Sequence, residues 1–244
     1  MILHGYILCW NEIKILPFVI DYWKNAGVDK LFVFDNGSTD GSLEYLSQFD
    51  WVEICHFSPL GDELLLTEIR NQAWKNSKGV ADWVIIADCD EVPFADGNLK
   101  ETLQRYEDEG YTAIRTLTPQ PITETFPEYD GKLLHTREGL EFGYDPYMHK
   151  THTFKVDKIN EINFSLGMHT CRPYGEVKFL EFPEDYRFYH LRHLGKDYVV
   201  DRAIMYLKVI RPDLLAMGID CHYAHYVNDY ESEIKKLKAQ KEPF

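Results

Sequence analysis

Four short apolar runs, at residues 2–9, 30–35, 51–56 and 82–87, alternate with stretches of helical character at 12–26, 42–48 and 62–77. Runs of that length and continuous apolarity suit strands buried on both faces. Successive strands joined by helices lie parallel. This order predicts an α/β chain, Rossmann-like, with a mostly parallel sheet covered by helices. Ligands in such sheets bind beyond the carboxyl ends of the strands. Local signals support the boundaries. Pro17 is tolerated only near a helix start, so the regular helix is expected to begin there, and Gly27 ends it.

The pattern changes after about residue 95. A helix is expected over 99–109, a strand over 112–117, and an irregular stretch rich in aromatics and proline over 118–165. An amphipathic helix over 197–210 carries Val200, Ala203, Ile204 and Leu207 on one stripe, and a short helix is expected over 230–238. No repeat or linker divides the chain, so 1–244 reads as a single domain with two halves. The net charge of −14 argues against nucleic acid as a partner. Cys9, Cys55, Cys89, Cys171 and Cys221 are scattered and odd in number, which favours a reduced, cytoplasmic setting. The first residues lack the basic start of a signal peptide, and no run approaches the roughly 20 apolar residues that span a bilayer. Lys235, Lys236, Lys238 and Lys241 would allow peripheral contact with the inner face of a membrane, although such a run is ordinarily a solvated helix face.

Three of the four apolar runs lead into polar motifs. Asp88-Cys89-Asp90-Glu91 follows the fourth, and aspartates at i and i+2 in a turn can face one hard cation, Mn²⁺ or Mg²⁺. Asp35-Asn36-Gly37-Ser38-Thr39-Asp40-Gly41 follows the second, where it reads equally well as a capped loop. Asn11-Glu12 follows the first, and Arg70-Asn71 lies on the third helical stretch. In this order the motifs resemble the glycosyltransferases of family 2 type with the GT-A fold, in the subgroup that opens with N-E and D-N-x-S-x-D-G. The resemblance covers about residues 1–95. It implies a nucleotide-binding half over 1–95 and an acceptor-side half over 96–244. It implies a nucleoside diphosphate sugar donor, UDP-linked by expectation, and a glycan or lipid-linked acceptor. Asn11, Glu12, Asp35, Asn36, Arg70 and Asp88 would then meet the nucleotide, with Asp88 and Asp90 at the metal. The commoner pattern has two adjacent acids where this chain has Asp35-Asn36, which puts more weight on Asp35.

Sugar transfer needs the departing diphosphate neutralised, which a divalent ion can do, and inversion needs a base at the acceptor hydroxyl. His169, in a G-x-H segment, and His190 are candidates for a further metal ligand. Arg192 and Lys196, near a helix start, are candidates for the diphosphate. No motif marks the base. Asp145 stands among aromatics suited to sugar stacking, and Glu91 and Glu141 are alternatives. An exposed metal ligand at Asp90 would make Asp90→Asn inactive with little loss of stability. A zinc site from His190, His193, Cys221, His222 and His225 matches no standard spacing. Three competitors remain. A sugar-nucleotide nucleotidyltransferase would need a glycine-rich basic loop where Cys9-Trp10-Asn11-Glu12 stands. A carbohydrate-binding module would leave Asp88-Cys89-Asp90-Glu91 without a task. A metal-dependent hydrolase would act without a sugar donor.

Overall fold

The computed structural model describes residues 1–218 and 222–240; Cys221 and Lys241 lie outside them. The first half runs β1 (Leu3–Cys9), α1 (Leu16–Asn25), β2 (Lys30–Asp35), α2 (Ser42–Leu46), β3 (Val52–His56), α3 (Glu63–Gln72), β4 (Trp83–Asp88) and β5 (Glu91–Ala95). There follow α4 (Leu99–Asp108), β6 (Ala113–Arg115), β7 (Gln120–Thr123), β8 (Glu141–Gly143), β9 (Thr153–Lys155) and β10 (Ile159–Glu161). The chain continues through β11 (Tyr174–Gly175), β12 (Phe179–Glu181), β13 (Tyr186–His190), β14 (His193–Leu194), α5 (Lys196–Leu207), α6 (Pro212–Ala216) and α7 (His222–Ala239).

The central sheet has seven strands in the order β12-β6-β9-β4-β1-β2-β3. β1 pairs in parallel with β2 and β4, and β2 with β3, so the four expected strands form a continuous parallel block. β9 runs antiparallel to β4 and to β6. Side chains alternate between two buried layers. Leu3, Ile7, Trp83 and Ile85 join α1 on one face. Tyr6, Val84 and Ile86 join Trp74 and Phe154 on the other. Helices and loops therefore cover both faces, the arrangement that the continuous apolar runs imply. Gly5 is where α1 comes closest to the sheet. A Cβ there would lie 2.5 Å from the Trp23 ring.

Several boundaries differ from expectation. Within the helical stretch over 12–26 the regular helix starts at Leu16, with Pro17 in its first turn, as the proline implied. The Glu12 amide donates to Ser42 Oγ (3.0 Å) and the Ile13 amide to Asp40 Oδ2 (3.0 Å), bonds that hold residues 12 and 13 out of the helix. Asp62 caps α3 by accepting from the Leu64 and Leu65 amides, and the expected helix over 62–77 tightens to a 3₁₀ turn from Ala73 to Ser77. Ser77 Oγ there meets Tyr6 Oη (2.5 Å) and His4 Nδ1 (2.7 Å) on β1. The antiparallel pair β5 and β13, with His190 opposite Glu91, was not expected. α7 begins at His222 rather than residue 230, with an irregular step at Asp229. Among the described residues no helix is long and apolar enough to cross a membrane.

Candidate active site

A cavity of about 540 Å³ opens beyond the carboxyl ends of β1, β2 and β4. That volume is in the range of small-molecule sites. The first half of the chain lines it with Asn36, Phe57, Gly61 and Arg70, and the second half with Arg192, Tyr206, His222 and Tyr223. Asp145, Tyr147 and His169 also line it. Gly61 permits a close crossing: its φ is +72°, and a Cβ would stand 2.1 Å from the Val209 carbonyl oxygen.

Two chains of alternating charge form the floor. In the first, Arg70 donates to Glu63 Oε1 (2.6 Å) and to Asp88 Oδ1 (2.6 Å). Lys150 Nζ reaches Asp88 Oδ2 (3.3 Å) and Glu91 Oε1 (2.6 Å). His152 Nε2 stands 3.1 Å from Glu91 Oε2. In the second, Arg202 spans Glu12 Oε1, at 3.0 Å from Nε and 2.5 Å from Nη2, and Asp90 Oδ2, at 2.9 Å from Nη1. Tyr206 Oη also donates to Glu12 (3.2 Å), and His190 Nε2 lies 3.3 Å from Asp90 Oδ2. The Leu191 amide donates to the Asp90 carbonyl (2.7 Å), so the turn after β13 is clamped to the motif.

These pairings set the charge states. Burial raises a carboxyl, yet Arg70 and Lys150 hold Asp88 below the usual range, and Arg202 and His190 hold Asp90 well below it. Burial is likewise opposed at Glu91, which Lys150 and His152 keep well below its ordinary value. Burial wins at Glu12, which is pushed up to about 6 with the Asp90 charge adding to the effect and Arg202 opposing it. Burial, then Arg192 and His190, push His222 down to about 2, so its imidazole is neutral at pH 7.

The sequence-derived candidates fall in different places. Glu12, Asn36, Arg70, Asp88, Asp90, Asp145, His169 and Arg192 line the cavity. Asp35 is fully buried beneath its loop and accepts from the Gly37 and Ser38 amides, while its neighbour Asn36 faces the cavity. Asn11 fastens the same loop by accepting from the Thr39 amide (2.7 Å). Glu91 is fully buried under Asp88, and His190 is buried behind Asp90. Glu141 lies outside the cavity, paired with Lys238, and Lys196 pairs with Glu231 on the surface. Asp90 is only 2% exposed, against the expectation of an exposed strand-end acid.

The carboxylates do not suit Mn²⁺ or Mg²⁺ in this arrangement. Both oxygens of Asp88 are held by Arg70 and Lys150, and Asp90 Oδ2, which makes no hydrogen bond, is ion-paired with Arg202 and His190. Among the described residues no three His, Cys, Asp or Glu side chains converge to cage an ion. His169 stands at the rim with Nδ1 2.8 Å from the Tyr147 carbonyl.

Sequence reasoning missed Lys150 and Arg202. Lys150 sits in the alternating segment Met148–Lys155 and is 3% exposed, a buried lysine that only its two carboxylates explain. Arg202 lies on the amphipathic helix one turn before Tyr206, with no motif around it.

Two solved structures are similar to parts of the chain. One is a mycobacterial protein, 16% identical over 49% of this chain and 41% of that one, with a TM-score of 0.33. The chain thus spans less than half the length of that protein. The other is 4-diphosphocytidyl-2C-methyl-D-erythritol synthase from Anaerococcus prevotii, 12% identical over 64% of this chain and 70% of that one, with a TM-score of 0.35. No curated protein matches the chain. The model of glycosyl transferase family 2 matches residues 6–174, from β1 to β11, and the chain therefore belongs to that family, which points to a glycosyltransferase or related nucleotide-sugar enzyme.

Proposed function

We propose that the cavity binds a nucleoside diphosphate sugar and transfers its sugar to a hydroxyl of a glycan or lipid-linked acceptor. The observation that carries this reading is the convergence of the three strand-end motifs, through Glu12, Asn36 and Asp88, on one cavity in a chain of this family. Asn36 and Arg70 on the wall beyond β2 suit the nucleoside, and the aromatic wall of Tyr206 and Tyr223 suits a sugar face. In the reaction the acceptor oxygen attacks the anomeric carbon. The bond from that carbon to the diphosphate oxygen breaks, and the nucleoside diphosphate leaves with the bonding pair. The acceptor proton passes to a base.

Asp145 is the group best placed for that proton. It lines the cavity and is partly exposed, and its Oδ1 accepts from the Tyr147 amide (3.0 Å). Among the described residues it has no cationic partner, whereas Glu91 is spent on Lys150 and His152. A base on the acceptor side serves an inverting displacement. Mn²⁺ or Mg²⁺, implied by the resemblance, would have to displace protein cations from the two aspartates.

Calorimetric titration of UDP, GDP, dTDP and CMP, each with Mn²⁺ and with chelator, tests the reading. Binding of one diphosphate is the expected result and names the donor base. No binding of any nucleotide by folded protein overturns it in favour of a carbohydrate-binding module or a hydrolase.

A further inference from the structure

Two thiols in the cavity lining have no part in the site described above. β1 and β4 run side by side in parallel, with Leu3 opposite Trp83 and Leu8 opposite Asp88. One step further along the same register puts Cys9 opposite Cys89. Alternation keeps them on one face of the sheet: Leu3, Ile7 and Cys9 pack with Trp83, Ile85, Ala87 and Cys89 in the layer under α1. Adjacent strands lie ~4.8 Å apart, inside the ~4.4–6.8 Å that a disulfide allows between Cα atoms. The two side chains also meet. Hydrogen bonding to the Cys9 thiol, ahead of burial, raises the Cys89 thiol well above its usual value. Each cysteine is 2% exposed, yet both line the cavity, so the pair is closed to a bulky reagent and open to one little larger than water. Among the described residues the other cysteines, Cys55 and Cys171, are free, and Cys55 lies two strands from β1, on β3.

We infer that Cys9 and Cys89 are a site of reversible oxidation by peroxide, which closes a disulfide across the ends of β1 and β4. In the first step one sulfur attacks a peroxide oxygen; the O–O bond breaks, a water leaves and a sulfenic acid remains. In the second the other sulfur attacks the sulfenic sulfur. The S–S bond forms, the S–O bond breaks, and a second water leaves with the thiol proton. Two thiols are oxidised and one peroxide is reduced to two waters. A thiol reductant reverses the bond by exchange. In a reducing compartment such a bond is a sensor rather than a staple. Cys89 sits between Asp88 and Asp90. Drawing its Cβ to within ~3.8 Å of the Cys9 Cβ shifts the turn that carries both acids and disturbs the pairing of Asp90 with Arg202. The oxidation site does not rest on the proposed function; only its consequence for nucleotide binding does.

The test exposes the folded full chain to excess hydrogen peroxide at neutral pH, for long enough to allow for a buried, protonated thiol. The remaining thiols are blocked with iodoacetamide in denaturant, and the peptides are mapped by mass spectrometry. The expected result is a peptide that links Cys9 to Cys89, lighter by two hydrogens than its two parts, and its disappearance after dithiothreitol. Cys9→Ser treated alike gives no such peptide, and dimedone traps its Cys89 as the sulfenic acid; if that variant does not fold, the wild-type map decides alone. Recovery of Cys9 and Cys89 as unlinked thiols, after Cys55 has been oxidised, overturns the inference and leaves the pair as core packing. A link that joins either of them only to another cysteine overturns it as well. Calorimetry of UDP with the reduced and the linked protein reads the consequence. Binding weaker by about tenfold or more in the linked form gives the pair control of the cavity. Equal binding removes that control. A protein that forms the link but binds no UDP in either form upholds the oxidation site and counts against the proposed function.

Discussion

Replacing Arg202 by methionine removes the one cation that, among the described residues, is paired with both Glu12 and Asp90, and the size of the effect follows from the structure. Glu12 and Asp90 are each 2% exposed, and Arg202 is 10% exposed. Breaking a buried ion pair by removing one partner costs about 3–5 kcal/mol. Here two carboxylates lose the same cation, which places Arg202→Met at about 5 kcal/mol at pH 7, the upper end of that range. The variant relieves part of this by protonating Glu12. In the wild type the Glu12 carboxyl titrates near 6, against 4.5 for a free one, because burial outweighs the attraction of Arg202. Without Arg202 it moves higher still. Between pH 6 and 7 the folded variant then holds a proton that the folded wild type has released, while both unfolded chains are ionised. The variant's stability therefore falls relative to the wild type by about 1 kcal/mol over that pH unit, the wild type being still half protonated at pH 6. Below about pH 5 both folded forms are protonated at Glu12, and the gap stays constant as far as this group decides it. Urea unfolding followed by tryptophan fluorescence at pH 5, 6 and 7 measures these differences. A loss below about 1 kcal/mol at pH 7, as for a surface ion pair, refutes the account. So does a deficit that widens as the pH falls from 7 to 6.

Three further outcomes are expected. Asp145→Asn lowers kcat by about 10²–10⁴-fold with little change in donor binding, as loss of a general base should, and a wild-type kcat in a sugar-transfer assay removes it from that role. Asp90→Asn, because its carboxylate holds both Arg202 and His190, lowers stability by about 3–5 kcal/mol as well as activity; a wild-type urea midpoint contradicts the buried pairing. Gly5→Ala forces a methyl group against Trp23 and costs about 1–3 kcal/mol, again read from urea unfolding, with an unchanged midpoint showing that α1 can retreat.

The parallel block was legible because its signals are local: each strand is a short, largely apolar run, and three of the four runs lead into a polar motif. The role of each motif residue was less so. Asp35 invited more weight than Asn36, yet Asp35 continues the inward alternation of Leu31 and Val33 and spends its oxygens on the Gly37 and Ser38 amides. Asn36, one residue on, turns to the cavity wall. The same logic hid β5, whose Pro93 speaks against a central strand and is tolerated because β5 pairs only with β13. Lys150 and Arg202 left no trace of any kind. Their partners lie 59 to 190 residues away, and no window along the chain shows a lysine that its carboxylates will bury.

The two charge chains explain why the strand-end acids occur in this setting at all. A turn that exposes two aspartates to water needs no partner, but Asp88 and Asp90 are drawn into the floor of a cavity, where an isolated carboxylate is expensive. Arg70 comes from the helix before β4, Lys150 from the segment before β9, and Arg202 from α5, so three separate parts of the chain must close on one turn before its charges are balanced. That requirement ties the second half of the chain to the first.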